Sequence, residues 1–226
     1  GRAQAREGLL DKWMRALEPE QDHVWQAVLA LYGSLGRPPT LSELRDRTAL
    51  SEASLVEAMR ELEQRDLLKR NDQGAILYAY PFTQDWTGHT VLLGGRELGS
   101  LCAIDALGTG AMFQADVTVQ STCRHCGAPI RAVTAEHGRT IREVSPPGAV
   151  VWYDCSYGES AASSCCQSIA FFCSDAHLRA WLDQAPTECG ERLTVPEALE
   201  VGRAIFGPVL QEPKLQTAPD ATVRTG

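Results

Sequence analysis

Apolar positions in the first third of the chain recur at helical spacing. Trp25, Val28, Leu29, Leu31 and Tyr32 line one face of a segment predicted to be helical over residues 9–32. The turn GSLGRPPT (33–40) follows, and Thr40 or Ser42 can cap a short helix, LSELRDRT. Ser51 then opens SEASLVEAMRELEQRDLL, in which Leu55, Met59, Leu62 and Leu67 again keep helical spacing. From residue 76 the texture changes. AILYAY, HTVLLGG, ADVTVQST, PIRAVTA and AVVWYDC are short β-rich runs broken by Gly, Pro and polar turns. IDALGTGAMF reads as a short buried helix and SSCCQSIAFFC as a buried, extended apolar run. SDAHLRAWLDQ is a helix capped by Ser174, with Leu178, Trp181 and Leu182 on its face, and TVPEALEVGRAIFGPVL is a final helix with Pro196 in its first turn.

The order helix, short helix, turn, longer helix and hairpin outlines a winged helix-turn-helix. The expected fold class is therefore α+β. A winged-helix-like helical domain would occupy residues 1–80 and a mixed β-sheet and helix domain residues 81–207. Residues 208–226 lack periodicity and read as a disordered tail. DNA binding is disfavoured by charge. The helix that would enter the major groove carries Glu52, Glu57 and Glu61 against Arg60, and the whole chain has a net charge of -8. A structural or docking role for this domain fits better, with no nucleic-acid partner.

Composition narrows the class without naming it. The 226 residues are 44% hydrophobic and 22% charged, as in ordinary globular proteins. No apolar run of about 18 residues exists, so no membrane span is expected. GRAQAREGLLDKWMRALEPEQ has no apolar core of a secretory signal, and a cytoplasmic protein is expected. The eight cysteines change the picture. All lie at or beyond Cys102, which puts the chemistry in the C-terminal half, and in a cytosolic chain they read as metal ligands or catalytic groups rather than disulfides.

Two patterns stand out. Cys102 and Asp105 sit together in GSLCAIDALG, and Cys165 and Cys166 are adjacent in SSCCQSIAFF. Two thiolates from distant segments can bind a large soft metal, and a neighbouring carboxyl can move a proton. That trio suits cleavage of a bond between a soft metal and carbon. Each half alone would pass for core packing.

The motifs LCAIDALGTGAMF, STCRHCGAPI and SSCCQSIAFF, in this order and spacing, resemble the organomercurial lyase (alkylmercury lyase) family, as do the leading helical domain and the final VPEALEVGRAIF helix. The resemblance covers roughly residues 20–207. It implies that Cys102 and Cys165 are the catalytic, mercury-binding thiols and Asp105 the proton shuttle. The implied reaction is protonolysis of a carbon–mercury bond to a hydrocarbon and Hg(II), in mercury detoxification. It further implies an organomercurial substrate arriving as a thiol adduct, Hg(II) as bound product, and its transfer to low-molecular-weight thiols or to mercuric reductase. No organic cofactor is implied. Cys123 matches a family cysteine of structural character. In an extended segment Cys165 and Cys166 would face opposite ways; the motif selects Cys165, although alternation by itself does not choose the face. Leu101 departs from the family, where a Trp precedes the first thiol, and this bears on substrate range.

A second departure is the pair Cys123-x-x-Cys126 and Cys173-x-x-x-His177. These are the ligands of a treble-clef-like structural zinc site, or else core thiols beside a surface histidine. His125 and His137 read as solvent-exposed. Cys155 could pass Hg(II) on or be structural, Cys189 reads as exposed and idle, and SYGESAASS could form a mobile flap over the site. Two other functions compete: a non-enzymatic thiol-based metal sensor or carrier, and a related enzyme acting on another organometallic compound. Asp105 separates the first from a lyase. A carrier needs only thiols, whereas a buried carboxyl is costly without a reason.

Overall fold

A computed structural model describes residues 17–158, 160–184 and 189–210. The start of the predicted 9–32 helix and the tail beyond residue 210 lie outside the described residues, while 207–210 continue the chain as a turn. The fold is mixed α+β.

Three helices come first: α1 (Pro19–Leu35), α2 (Leu41–Thr48) and α3 (Glu52–Gln64). Thr40 caps α2 with Glu43 reaching back, and Ser51 caps α3, so the Ser/Thr positions in the sequence do mark helix starts. Val24, Val28, Leu29, Leu55 and Leu62 are fully buried between them. A small antiparallel sheet follows, in the order β1 (Leu68–Arg70), β2 (Ile76–Ala79), β3 (Phe82–Thr83).

The larger sheet is antiparallel, in the order β5 (Arg96–Gly99), β4 (His89–Leu93), β6 (Thr118–Thr122), β7 (Pro129–Ala135), β8 (Thr140–Ser145). Between β5 and β6 the chain forms α4 (Ala103–Phe113). A third sheet has β9 (Val150–Asp154) flanked by β10 (Ala170–Phe172) and β11 (Gly190–Thr194). The four-residue helix α5 (Cys165–Ser168) precedes β10, α6 (Asp175–Gln184) follows it, and α7 (Val195–Phe206) follows β11. One continuous core runs from Val24 in α1 to Phe206 in α7.

The helix that matters most is α4, and its environment explains its sequence. All residues from Ala103 to Met112 are buried, so it is apolar all round except for Asp105 and Thr109. It crosses α7 at a glycine pair. A Cβ on Gly108 would lie 2.7 Å from the Gly202 carbonyl, and one on Gly202 would lie 2.8 Å from the Ile104 carbonyl. Only glycine permits this backbone approach. The N-terminus of α4 is tied down from three sides: Ser100 N–H donates to His89 O at 3.0 Å, Leu101 N–H to Pro81 O at 3.2 Å, and Ala103 N–H to Ile169 O at 3.3 Å. Residue 102 is thus fixed where the three sheets meet.

Candidate active site and a second sulfur cluster

Cys102 is the N-cap of α4 and Asp105 its third residue, so the C-x-x-D spacing sets both at the start of the helix, although the Cys102 side chain makes no cap hydrogen bond. Both side chains are buried, at 2% and 3% exposure. Thr109 Oγ donates to the Asp105 carbonyl at 2.9 Å and leaves the carboxyl to the thiols. Burial pushes the Asp105 carboxyl up to about 7. Interactions with Cys102, through its thiol and its main-chain N–H, and with the Cys166 thiol oppose the rise without cancelling it. Burial, with some help from the Asp105 charge, lifts the Cys102 thiol to about 11.

The structure brings the CxxD motif and the CC motif together, but through Cys166. Sulfur atoms of Cys102 and Cys166 and a carboxylate oxygen of Asp105 all lie within 4.8 Å of one another, and Cys166 Sγ donates to Asp105 Oδ2 at 3.9 Å. Cys165, which the sequence places in this group, points its thiol to the Ala161 carbonyl at 3.9 Å. The physical reason is local. The segment is the helical turn α5, not an extended run, so the two side chains diverge by about 100° rather than alternating, and this turn aims Cys166 at Asp105. Cys165 stays next to the group through its neighbour. Interaction with the neighbouring Cys166 thiol holds Cys165 below the usual thiol range, while interactions with Cys102 and Cys165, with burial, push Cys166 well above that range.

A cleft of about 770 Å³ reaches this group at Cys166, and Leu101, Arg124, His89, Gln167 and the 81%-exposed Trp86 also line it. The SYGESAASS segment is tied to the N-terminal half by Asp66, which accepts from Ala161 N–H at 2.8 Å, Tyr157 OH at 3.3 Å and Tyr78 OH at 3.5 Å. Sequence reasoning missed Asp66. It belongs to no motif, and its signal is a left-handed backbone (φ 58) visible only in the folded chain.

The second cluster assembles as its spacing predicts. Cys123, Cys126, Cys173 and His177 offer ligand atoms that all lie within 4.8 Å of one another. Cys126 and Cys173 sulfurs are 3.8 Å apart, and His177 Nδ1 is 3.7 Å from Cys123 Sγ and 3.0 Å from Cys173 Sγ. The turn after β6 is closed by Gly127 N–H to Cys123 O and Cys123 N–H to Ala128 O, both 2.8 Å, with Gly127 at φ 73. Ser174 accepts from His177 N–H at 3.3 Å at the head of α6. None of the eight cysteines is in a disulfide. His125 and His137 are exposed, and Cys155 and Cys189 are half-buried and belong to neither cluster. Among the described residues no helix is long and apolar enough to cross a membrane.

Comparison with known proteins agrees with this geometry. A family model described as alkylmercury lyase matches residues 82–207, the stretch that contains both clusters. Alkylmercury lyase of Bacillus cereus is 35% identical over 122 residues, 52% of this chain and 52% of that protein. The chain thus spans about half the length of this relative in the match. Alkylmercury lyase of Streptomyces lividans is 26% identical over 183 residues, covering 80% of this chain and 81% of that one. A crystal structure of the mercury-bound form of MerB2 superposes with a TM-score of 0.75 at 25% identity, covering 93% of this chain and 98% of that one. With more than half of its length inside the family match, around a buried pair of thiols and an acid, this chain belongs to the alkylmercury lyase family.

Proposed function

We propose that this chain is an organomercurial lyase that cleaves carbon–mercury bonds by protonolysis. One observation carries the reading: Asp105 is a carboxyl, buried at 3% exposure and poised near neutrality, in contact with thiols from two distant segments. A thiol cage for a soft metal has no use for such a group, whereas protonolysis requires it.

Cys102 and Cys165 are assigned as the sulfurs that hold mercury. Cys165 fits the nucleophile because its interaction with the neighbouring Cys166 lowers its pKa and favours the thiolate, the reactive form. Cys166 fits a bridging thiol between Cys165 and Asp105. The substrate R–Hg–X enters by the cleft, and one thiolate displaces X. The Cys102 thiol gives its proton to Asp105 as its sulfur joins mercury. Asp105 passes that proton to carbon, which takes the electron pair of the breaking Hg–C bond. The hydrocarbon leaves, and Hg(II), unchanged in oxidation state, stays on two thiolates. No organic cofactor is needed for this sequence.

X is taken to be a low-molecular-weight thiolate, and the same thiols, or mercuric reductase, to be the acceptors of Hg(II) in a cytoplasmic setting. Residues 1–80 are taken as a winged-helix-like domain and 81–207 as the catalytic one. A docking role for the first is favoured over DNA reading because Arg60 is already paired with Glu57 and Glu61, at 2.6 and 2.7 Å. The cluster of Cys123, Cys126, Cys173 and His177 is given a structural part. The test is incubation with methylmercury and excess thiol while methane is followed. Methane above the thiol-only control is expected; mercury uptake without methane would leave a carrier.

A further inference from the structure

We propose that Cys123, Cys126, Cys173 and His177 bind a zinc ion that fastens the β6–β7 turn to the head of α6 and so fixes the strand behind the catalytic thiols. The zinc assignment stands on the second cluster alone; only the description of the neighbouring thiols as catalytic rests on the lyase reading.

Two of three ligand-to-ligand separations match the edges of a tetrahedral site. Zn–S bonds of about 2.3 Å give S···S edges of about 3.8 Å, and Zn–N bonds of about 2.0–2.1 Å give S···N edges of about 3.6 Å. Cys126 and Cys173 stand 3.8 Å apart, and Cys123 and His177 3.7 Å. The 3.0 Å separation of Cys173 from His177 is one edge that must open slightly. Four N/S donors from two close pairs complete the shell without an open position, which is the character of a holding site rather than a reacting one. Each pair is set by its own local structure. Gly127 supplies the left-handed residue that closes the Cys-x-x-Cys turn, with open space around it. The Ser174 cap places His177 in the first turn of α6, four residues after Cys173. Cys123 belongs to the core and Cys173 packs against it, but apolar packing gives no reason for the exposed Cys126 and the His177 imidazole to turn toward them from segments 47 residues or more apart.

The position of the cluster gives it a consequence. Strand β10 runs from α5, which carries Cys165 and Cys166, to Cys173. Arg124, inside the Cys-x-x-Cys turn, donates its N–H to Phe171 O at 3.0 Å, and Ile169 accepts from Ala103 beside Cys102. Metal at one end of this three-residue strand therefore sets the position of thiols at the other.

The test is metal analysis of the full chain purified under reducing conditions, with cobalt(II) as a spectroscopic substitute. Wild type and Cys102→Ser should each hold one zinc per chain, and both should give thiolate charge-transfer and tetrahedral ligand-field bands with cobalt. Cys126→Ser, a change at an exposed sulfur that leaves the core intact, should lose most of the zinc and the tetrahedral bands. Two results would each overturn the proposal: no zinc and no tetrahedral cobalt spectrum in wild type, or loss of the metal with Cys102→Ser instead of Cys126→Ser.

Discussion

Two sulfur clusters lie between Cys102 and His177, and they differ in almost every respect except the element they use. One is sunk at the N-terminus of a wholly buried helix, contains a carboxyl and has room beside it for a substrate. The other sits at a rim, contains an imidazole and closes four donors on one another. Thiolate softness alone, common to both, does not say which cluster performs chemistry. Burial and the acid are what the proposed reading uses to choose the first. A buried Asp near neutrality can trade protons with thiol and carbon; a closed four-donor shell without an acid can only hold.

The largest break in this contrast should come from Cys102→Ser. Turnover should fall by roughly a thousandfold or more, as when a group that bonds the reacting centre is lost. Zinc content should be untouched. Methane or benzene release and metal content, measured on one preparation, check both halves, and a variant that loses zinc with activity would show that the clusters are not independent.

Next in size is Asp105→Asn. Loss of a positioned proton donor should lower cleavage by about 10²–10⁴-fold, while stoichiometric Hg(II) binding persists. The same variant carries a stability signature. Burial raises the Asp105 carboxyl from 3.8 to about 7, so the folded state holds a proton that the unfolded chain has released across that interval. The wild type therefore loses stability as pH climbs from about 4 to about 7, with the full cost, on the order of a few kcal/mol, present above 7. Asp105→Asn has no such descent. Its stability relative to wild type, by urea titration at pH 5 and pH 8, should improve at the higher pH; equal differences at both would mean that Asp105 is not perturbed.

These roles were unequally legible in the sequence. The C-x-x-D spacing was legible because a helix start puts its N-cap and third residue side by side, whatever the fold. The Cys-x-x-Cys and Cys-x-x-x-His pairs were legible for the same reason: each is local. Helices α1 to α3 and α7 followed from apolar spacing and from Thr40, Ser51 and Pro196. The orientation of Cys165 and Cys166 was not legible, because a four-residue helix gives no periodicity and a buried apolar run suits a strand equally well. Strand β8, TIREVS, escaped because it is mostly exposed at the edge of its sheet and carries no apolar alternation. The Asp66 contacts with Ala161 and Tyr157 and the meeting of Gly108 with Gly202 are long-range facts, invisible until the distant segments are packed.

A smaller effect separates the adjacent cysteines. Cys166→Ser keeps a donor beside Cys165 and Asp105 but a harder one, so cleavage should fall by roughly tenfold. Cys165→Ser should approach the Cys102→Ser loss. The reverse ranking, measured as single-turnover cleavage of methylmercury, would move the second mercury ligand to Cys166, the residue that already touches Asp105.

The smallest expected effect tests the cleft rather than either cluster. Leu101 is half-buried and lines the cleft, directly before Cys102. Its main chain is fixed by the bond to Pro81, so a larger side chain must extend into the cleft instead of moving the thiol. Leu101→Trp should therefore leave zinc content and the Asp105 pH signature unchanged. It should shift kcat/KM for an aryl relative to a methyl mercurial by only a few-fold, the scale on which pocket shape discriminates apolar groups. A change confined to this ratio places substrate choice in the cleft wall and bond cleavage in the thiols and acid beneath it. An unchanged ratio would mean that the group on mercury does not reach Leu101, and that the substrate meets Cys102 from another side.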